Sequence, residues 1–236
     1  MRGLENQTIF ESRRDAGRKL AEKLGEYSGK PVVVLAIPNG GVPVALEVAS
    51  ALKAEVDLII CRKLPIPLAP EGGFGACSDD GTIILNEEIV RRFAITPQQI
   101  EDAANKVRAD IKQRILLYKK DRLPIRITGK TVIIVDDGLA SGITMRAAVE
   151  SMRRRHLKEV VVAAPCASAI AVEQVSQVAD KLVTCVIGDK PRFAVADYYR
   201  YWYDISDNEA AQCLSEWRIQ HFRANIESIK GKIDKR

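Results

Sequence analysis

Histidine is nearly missing from this 236-residue chain: His156 and His221 are the only two. A histidine-based zinc site or a serine–histidine–aspartate triad therefore has too few members to assemble. Cysteine is sparse and scattered. Cys61, Cys77, Cys166, Cys185 and Cys213 have no Cys-x-x-Cys spacing, are odd in number and lie in apolar segments. That reads as reduced thiols in a cytosolic core, not as a disulfide frame. No apolar run is long enough to span a bilayer. The polar, charged N-terminus carries no secretory signal, so a cytoplasmic protein is expected. Internal repeats and low-complexity tracts are missing too. The cluster Gly72-Gly73-Phe74-Gly75 lacks the Lys-Ser/Thr ending of a P-loop. Aromatic residues make up only 6% of the chain and crowd into one C-terminal stretch.

What remains is ordinary globular material. Hydrophobic residues are 47% and charged residues 28% of the chain, as in soluble domains. The length suits one sizeable α/β domain over residues 1–236, with a core over about 30–188. A net charge of +5 suits an anionic metabolite as well as a nucleic acid. No helix-turn-helix or other nucleic-acid module is visible, so nucleic acid is not an expected partner.

The most informative stretch is 132–148. Val132, Ile133, Ile134 and Val135 form a β-branched run typical of a strand buried on both faces. The run ends at Asp136 and Asp137, a turn of small residues follows, and a helix is predicted from about Thr144. In open α/β sheets the carboxyl ends of strands are where ligands bind. Ser141, Gly142, Ile143 and Thr144 would place backbone N–H groups and two hydroxyls at a helix N-terminus, which makes a phosphate cradle. The two carboxylates repel phosphate but suit hydroxyl donors and a hydrated Mg²⁺ ion. A phosphate at one end and two neighbouring hydroxyls at the other describe a ribose 5-phosphate.

The run Asp136-Asp137-Gly138-Leu139-Ala140-Ser141-Gly142-Ile143-Thr144 resembles the ribose-5-phosphate loop of the type I phosphoribosyltransferases. That pattern is an apolar strand, two acidic residues, three variable positions, Ser or Thr, Gly, any residue, then Ser or Thr. Within the family, the Asp-Ala-Gly-Arg helix near residues 15–18 and the Ile-Pro-Asn-Gly-Gly-Val-Pro run are most similar to predicted phosphoribosyltransferases of unassigned substrate. The resemblance implies a mostly parallel sheet with helices on both faces. It also implies transfer of 5-phosphoribosyl from phosphoribosyl pyrophosphate to a nitrogen acceptor, with Mg²⁺.

The rest of the chain is consistent with that fold. A helix is predicted over 13–27, with Ala16, Leu20, Ala21 and Leu24 inward and Arg13, Arg14, Arg18, Lys19 and Lys23 on a solvated face. A strand over 32–37 runs into Pro38-Asn39-Gly40-Gly41, and a helix follows over about 44–53. A Gly-Gly turn between strand and helix can bind an anion or serve only as a tight turn. By resemblance it is the pyrophosphate loop, often with a non-proline cis bond, and Asn39 stands where a basic residue is common. A third strand over 56–61 ends at Arg62 and Lys63, which by resemblance also reach the pyrophosphate. Residues 64–73, rich in Pro and Gly, read as mobile, and 74–85 as a hairpin about Asp79-Asp80-Gly81. By resemblance, about 64–95 is the flexible loop that covers the reacting centre. Thr96-Pro97 opens a helix whose stripe of Ile100, Ala104, Val107, Ile111 and Ile115 reads as core or dimer contact. Arg153-Arg154-Arg155 suit a helix C-terminus, and further strands are expected over 160–165 and 182–187 around a helix over 169–178.

Residues 189–236 look like a hood and a final helix. Pro191-Arg192-Phe193 precedes Tyr198, Tyr199, Tyr201, Trp202 and Tyr203, similar to the base-binding hood of purine enzymes. That likeness implies that Phe193 stacks on a purine-like base. Ala140 stands where hypoxanthine-guanine enzymes carry an acidic residue, so no general base is assigned and a non-nucleobase acceptor stays open. The final helix, with Trp217, Phe222, Ile226, Ile229 and Ile233, is expected to pack on the body. A homodimer is expected. Two other classes fit the same residues. One is a regulator that senses phosphoribosyl pyrophosphate without turnover, and the other a hydrolase of an activated ribose phosphate.

Overall fold

The computed structural model describes residues 9–67, 69–118, 125–190 and 192–233, the side chains of residues 70, 71 and 222–233 excepted. Strands β1 (Val32–Ala36), β2 (Glu55–Leu58), β6 (Thr131–Val135), β7 (Glu159–Ser168) and β8 (Lys181–Gly188) pair in parallel in the order β2-β1-β6-β7-β8. Every residue of β1 and β6 is buried, because both faces of the sheet are covered. Val32, Val34, Ala36, Ile133 and Val135 pack with helices α1 (Arg13–Lys23) and α2 (Gly41–Leu52). Val33, Leu35, Val132 and Ile134 pack with α5 (Ile143–Arg153) and α6 (Ala169–Ser176). Continuous apolar runs, not alternating ones, are what such strands require.

A second sheet is antiparallel: β3 (Cys61–Ile66), β4 (Ala69–Ser78) and β5 (Ile83–Leu85), in the order β3-β4-β5. Ala76 and Ile84 pack against Ile143 and Ala147 of α5. On its other side stands α4 (Pro97–Tyr118), reached through the short α3 (Glu87–Arg92). Thr96 Oγ1 accepts from the Gln99 N–H at 3.2 Å, and Gln99 Oε1 accepts from the Thr96 N–H at 2.9 Å. This reciprocal cap starts α4 where Thr-Pro predicts it. Ala104, Val107 and Ile111 are buried, so the stripe on α4 is core.

Two expectations are corrected. The apolar run 56–61 is not one strand: β2 stops at Leu58, and Cys61 opens β3 in the other sheet. Arg62 and Lys63 therefore lie within β3. Ile59 and Ile60 are as buried as their neighbours, so hydrophobicity alone hides the break. Residues 64–73 also belong largely to β3 and β4 instead of a mobile loop. Pro65 is tolerated because β3 is an edge strand with register shifts on either side of it. The hairpin about Asp79-Asp80-Gly81 is present, with Gly81 at φ 88°. The last helix, α7 (Asp207–Ile233), packs on the body through buried Ala210 and Leu214, and Trp217 Nε1 donates to Ser50 Oγ at 2.8 Å. The side chains of Phe222, Ile226, Ile229 and Ile233 lie outside the described residues, as does Pro191. Among the described residues no helix is long and apolar enough to cross a membrane.

Candidate active site

Because β1 and β6 are neighbours in a parallel sheet, the loops at their C-terminal ends lie side by side. The Ile37 N–H donates to the Val135 carbonyl at 2.9 Å, and the Pro38–Asn39 peptide is cis. A methyl group at Gly40 would lie 1.9 Å from Asp137 Oδ2, and one at Gly41 would lie 2.7 Å from the Val135 carbonyl. Only glycine allows the two loops to touch. Beside them opens a cleft of about 690 Å³, lined by Pro38, Asn39, Gly40, Arg62, Lys63, Lys106, Asp110, Asp136, Asp137, Thr144 and Asp204, among others. Seven residues singled out in the sequence thus share one cavity: Asn39, Gly40, Arg62, Lys63, Asp136, Asp137 and Thr144.

The other motif residues shape the turn without lining the cavity. Gly142 caps α5 at φ 73°, a left-handed conformation suited to glycine, with Val175 3.1 Å from where its Cβ would be. Ser141 Oγ accepts weakly from the Ile143 N–H at 3.5 Å. Ala140 and Ser141 are exposed and Ile143 is buried against the second sheet. Gly41 is buried behind the loop as the first residue of α2.

The two acids are not equivalent. Asp136 is half-buried in the cleft wall, and its Oδ1 accepts the Asp137 N–H at 2.9 Å. Burial, then the neighbouring Asp137 charge, pushes its pKa well above the usual carboxylate range. Burial also raises Asp137, but a cation opposes it. That cation is Arg13, whose Nε lies 2.7 Å from Asp137 Oδ2, with side chains only 7% and 14% exposed. Arg13 also donates from Nη1 to the Tyr203 carbonyl at 2.8 Å, and its guanidinium sits 3.8 Å from the centre of the Trp202 ring. Tyr199 adds a hydroxyl that donates to the Asp137 carbonyl at 2.6 Å. Arg13 therefore does not belong to the solvated face predicted for it. It is one buried end of the stripe Arg13, Ala16, Gly17, Leu20, Ala21, and that spacing is the signal that could have found it.

Asn39 is equally committed. Its Nδ2 donates to the Ile205 carbonyl at 2.8 Å, while Oδ1 accepts from Arg114 Nη1 at 3.0 Å and from the Tyr118 hydroxyl at 2.9 Å. Arg114 also pairs with Asp207 and, at 3.1 Å, with Asp110. Asp110 in turn holds Arg62 at 3.0 Å. The network ties the 38–41 loop to α4 and to the start of α7.

Phe193 does not line the cleft. Its ring lies 5.1 Å from that of Tyr198, against Gly188, in a cluster that includes Cys166, Val195 and Trp202. The hood still meets the motif, since a Cβ on Gly138 would come within 2.5 Å of Val195. Arg153 is paired with Asp180 at 2.8 Å, which makes that end of α5 a structural contact. Among the described residues no cluster of three or more His, Cys, Asp or Glu could cage a metal. Two adjacent carboxylates fit Mg²⁺ only in its partly hydrated mode, with most ligands from water and a substrate phosphate.

Comparison with known proteins is consistent with this geometry. The family model described as phosphoribosyl transferase domain matches residues 77–201. Two proteins of Mycobacterium tuberculosis, provisionally named phosphoribosyl transferases MT0597 and Rv0571c, are each 38% identical over 206 residues, 87% of this chain and 46% of theirs. The chain thus spans about half the length of these curated relatives. The crystal structure of TT1426 from Thermus thermophilus superposes with a TM-score of 0.73 at 34% identity, covering 88% of this chain and 98% of that one. The acid pair at the end of β6, the small-residue turn into α5 and these likenesses agree, and the chain belongs to the phosphoribosyl transferase family.

Proposed function

We propose that the cleft binds phosphoribosyl pyrophosphate with Mg²⁺ and that the chain transfers its 5-phosphoribosyl group to a nitrogen acceptor, a purine-like nucleobase. The observation that carries this reading is the meeting, in one cavity, of a poorly compensated acid pair, the first turn of α5 and a basic strand. In the reaction the bond from C1 to the pyrophosphate oxygen breaks and a bond from C1 to the acceptor nitrogen forms. Pyrophosphate leaves, and the acceptor's proton passes to an unassigned base.

The protein's task is positioning and charge stabilisation. Asp136 and Asp137 accept hydrogen bonds from the ribose hydroxyls, and Arg13 opposes the upward push of burial on Asp137 and aims its carboxylate. The backbone N–H groups of the 140–144 turn, with the Ser141 and Thr144 hydroxyls, hold the 5-phosphate. Gly40, with Gly41 behind it, and Arg62 and Lys63 of β3 meet the pyrophosphate, while the Asn39 side chain holds the 38–41 loop in place. Phe193 stands in the hood outside the cleft lining, and it would stack on an acceptor only where that acceptor extends from the cleft to the hood. Asp136 and Asp137 would hold Mg²⁺ through water, and the ion would supply positive charge against the leaving group.

The test is pyrophosphate release from Mg²⁺-phosphoribosyl pyrophosphate across a panel of nucleobases. Acceptor-dependent release, lost by about 100-fold or more in Asp136→Asn/Asp137→Asn, is expected. Release independent of acceptor means a hydrolase, and saturable binding without release means a regulator; either overturns the transferase.

A further inference from the structure

The charges around the pyrophosphate side of the cleft nearly cancel before any ligand arrives. Arg62 is paired with Asp110 at 3.0 Å, and Arg114 is paired with Asp110 and Asp207. Two cations face two anions, so these four groups offer a dianionic leaving group little net attraction. Arg13 is spent on Asp137, and the acid pair itself repels phosphate. The Asn39 amide, closest to the glycines of the loop, is neutral and fully engaged by Ile205, Arg114 and Tyr118. A site for pyrophosphate must draw its excess positive charge from the lysines that line the cleft, Lys63 of β3 and one on α4.

Lys106 fits that need. It projects from α4 one turn before Asp110 and lines the cleft together with Arg62, Lys63 and Gly40. It is exposed, and among the described residues its ammonium has no ion pair or hydrogen bond. It also lines a groove of about 400 Å³ with Pro65, Ile66, Val107 and Asp102, and a lysine stem can lie along such a surface while its head reaches the cleft. An uncommitted lysine on a rigid helix loses no existing bond when it turns to a phosphate, whereas Arg62 must share itself with Asp110.

We propose that Lys106 is a pyrophosphate-binding residue, so that the leaving group's charge is met from helix α4 and not from the side chain of the 38–41 loop. The inference rests on the donor site proposed above. It assigns the loop a backbone role and α4 the electrostatic one. Nothing in the hydrophobic pattern of α4 points to this, because Lys106 lies on its exposed side and looks like any solvated helix charge.

The experiment compares Lys106→Ala, Lys106→Glu and Lys106→Arg with the wild-type chain, titrating Mg²⁺-pyrophosphate and, separately, ribose 5-phosphate by calorimetry. Lys106→Ala is expected to weaken pyrophosphate about tenfold or more, the worth of one charge-assisted contact. Lys106→Glu should weaken it further, and Lys106→Arg should restore most of it. Ribose 5-phosphate affinity should stay within about twofold in all three, because its cradle is the 140–144 turn. Unchanged pyrophosphate affinity in Lys106→Ala overturns the inference and leaves the donor site standing. An equal loss of both ligands also overturns it, since it marks a general disturbance of the fold. A wild-type chain that binds neither ligand overturns the donor site and the inference together.

Discussion

The two ends of the parallel sheet treat charge in opposite ways. At the end where the strands begin, acids meet a partner of opposite sign or a hydroxyl. Glu55 opens β2 and is held by Lys130 at 2.7 Å. Glu159 opens β7 and accepts from the Tyr27 hydroxyl at 3.1 Å and from Thr131 Oγ1 at 3.3 Å. Asp180 is bound by Arg153, and Lys181 pairs with Glu26. At the end where the strands stop, Asp136 and Asp137 stand side by side, and one buried arginine, Arg13, pairs with Asp137. The carboxyl shifts follow suit. Burial alone would raise Asp180, but Arg153 and the Val160 N–H outweigh it and leave Asp180 below its ordinary value. Asp136 is driven up. One end is arranged for the folded state by itself; the other carries an imbalance that a bound cation and hydroxyl donors would relieve.

That contrast can be broken at three places. The largest effect is expected at Arg13. Arg13→Met leaves Asp137 buried without its cation and should cost about 3 kcal/mol of stability, measured by urea unfolding. Much of the loss should return in Arg13→Met/Asp137→Asn, where no charge is stranded. A loss below about 1 kcal/mol would mean that Asp137 is solvated and the pair unimportant.

Asp136 should respond with the opposite sign. Asp136→Asn removes one of two crowded carboxylates, keeps an oxygen for the Asp137 N–H, and should stabilise the ligand-free protein by about 1 kcal/mol. Destabilisation of that size would make the two ends alike and end the comparison.

Asp180→Asn should give the smallest change. Its folded pKa is depressed, so the stability it adds is fully present above the unfolded carboxylate value of about 3.9 and is lost as pH falls through the folded value. The variant should melt slightly below wild type at neutral pH, and the gap should close below about pH 3.9. A gap that widens on acidification would contradict the assigned direction.

What could be read from the sequence was what neighbours along the chain decide. Asp136 to Thr144 are consecutive, and a strand stopping at two acids before a glycine-capped helix fixes their relative places. The buried runs of β1 and β6 were equally legible, since a strand covered on both faces has no polar positions. Arg13 and Asp137 lie 124 positions apart, and Asn39 lies 75 from Arg114. Such pairs exist only once the layers are stacked. The break between Leu58 and Cys61 was hidden for a related reason, because the chain stays apolar while it changes sheets. In the aromatic stretch only Phe193 is read as meeting a ligand, and the other rings are structural: Trp202 packs on Arg13 and Tyr199 binds the Asp137 carbonyl. Part of that stretch buttresses the acid pair.

The most direct single measurement is a calorimetric titration of phosphoribosyl pyrophosphate with Mg²⁺ into wild-type protein and into Asp136→Asn/Asp137→Asn. Saturable binding to the wild type, weakened at least about tenfold in a variant that remains folded, is the predicted result. No binding to folded wild-type protein at millimolar donor, or equal binding to both proteins, would contradict the claim that the acid pair at the end of β6 is the donor site.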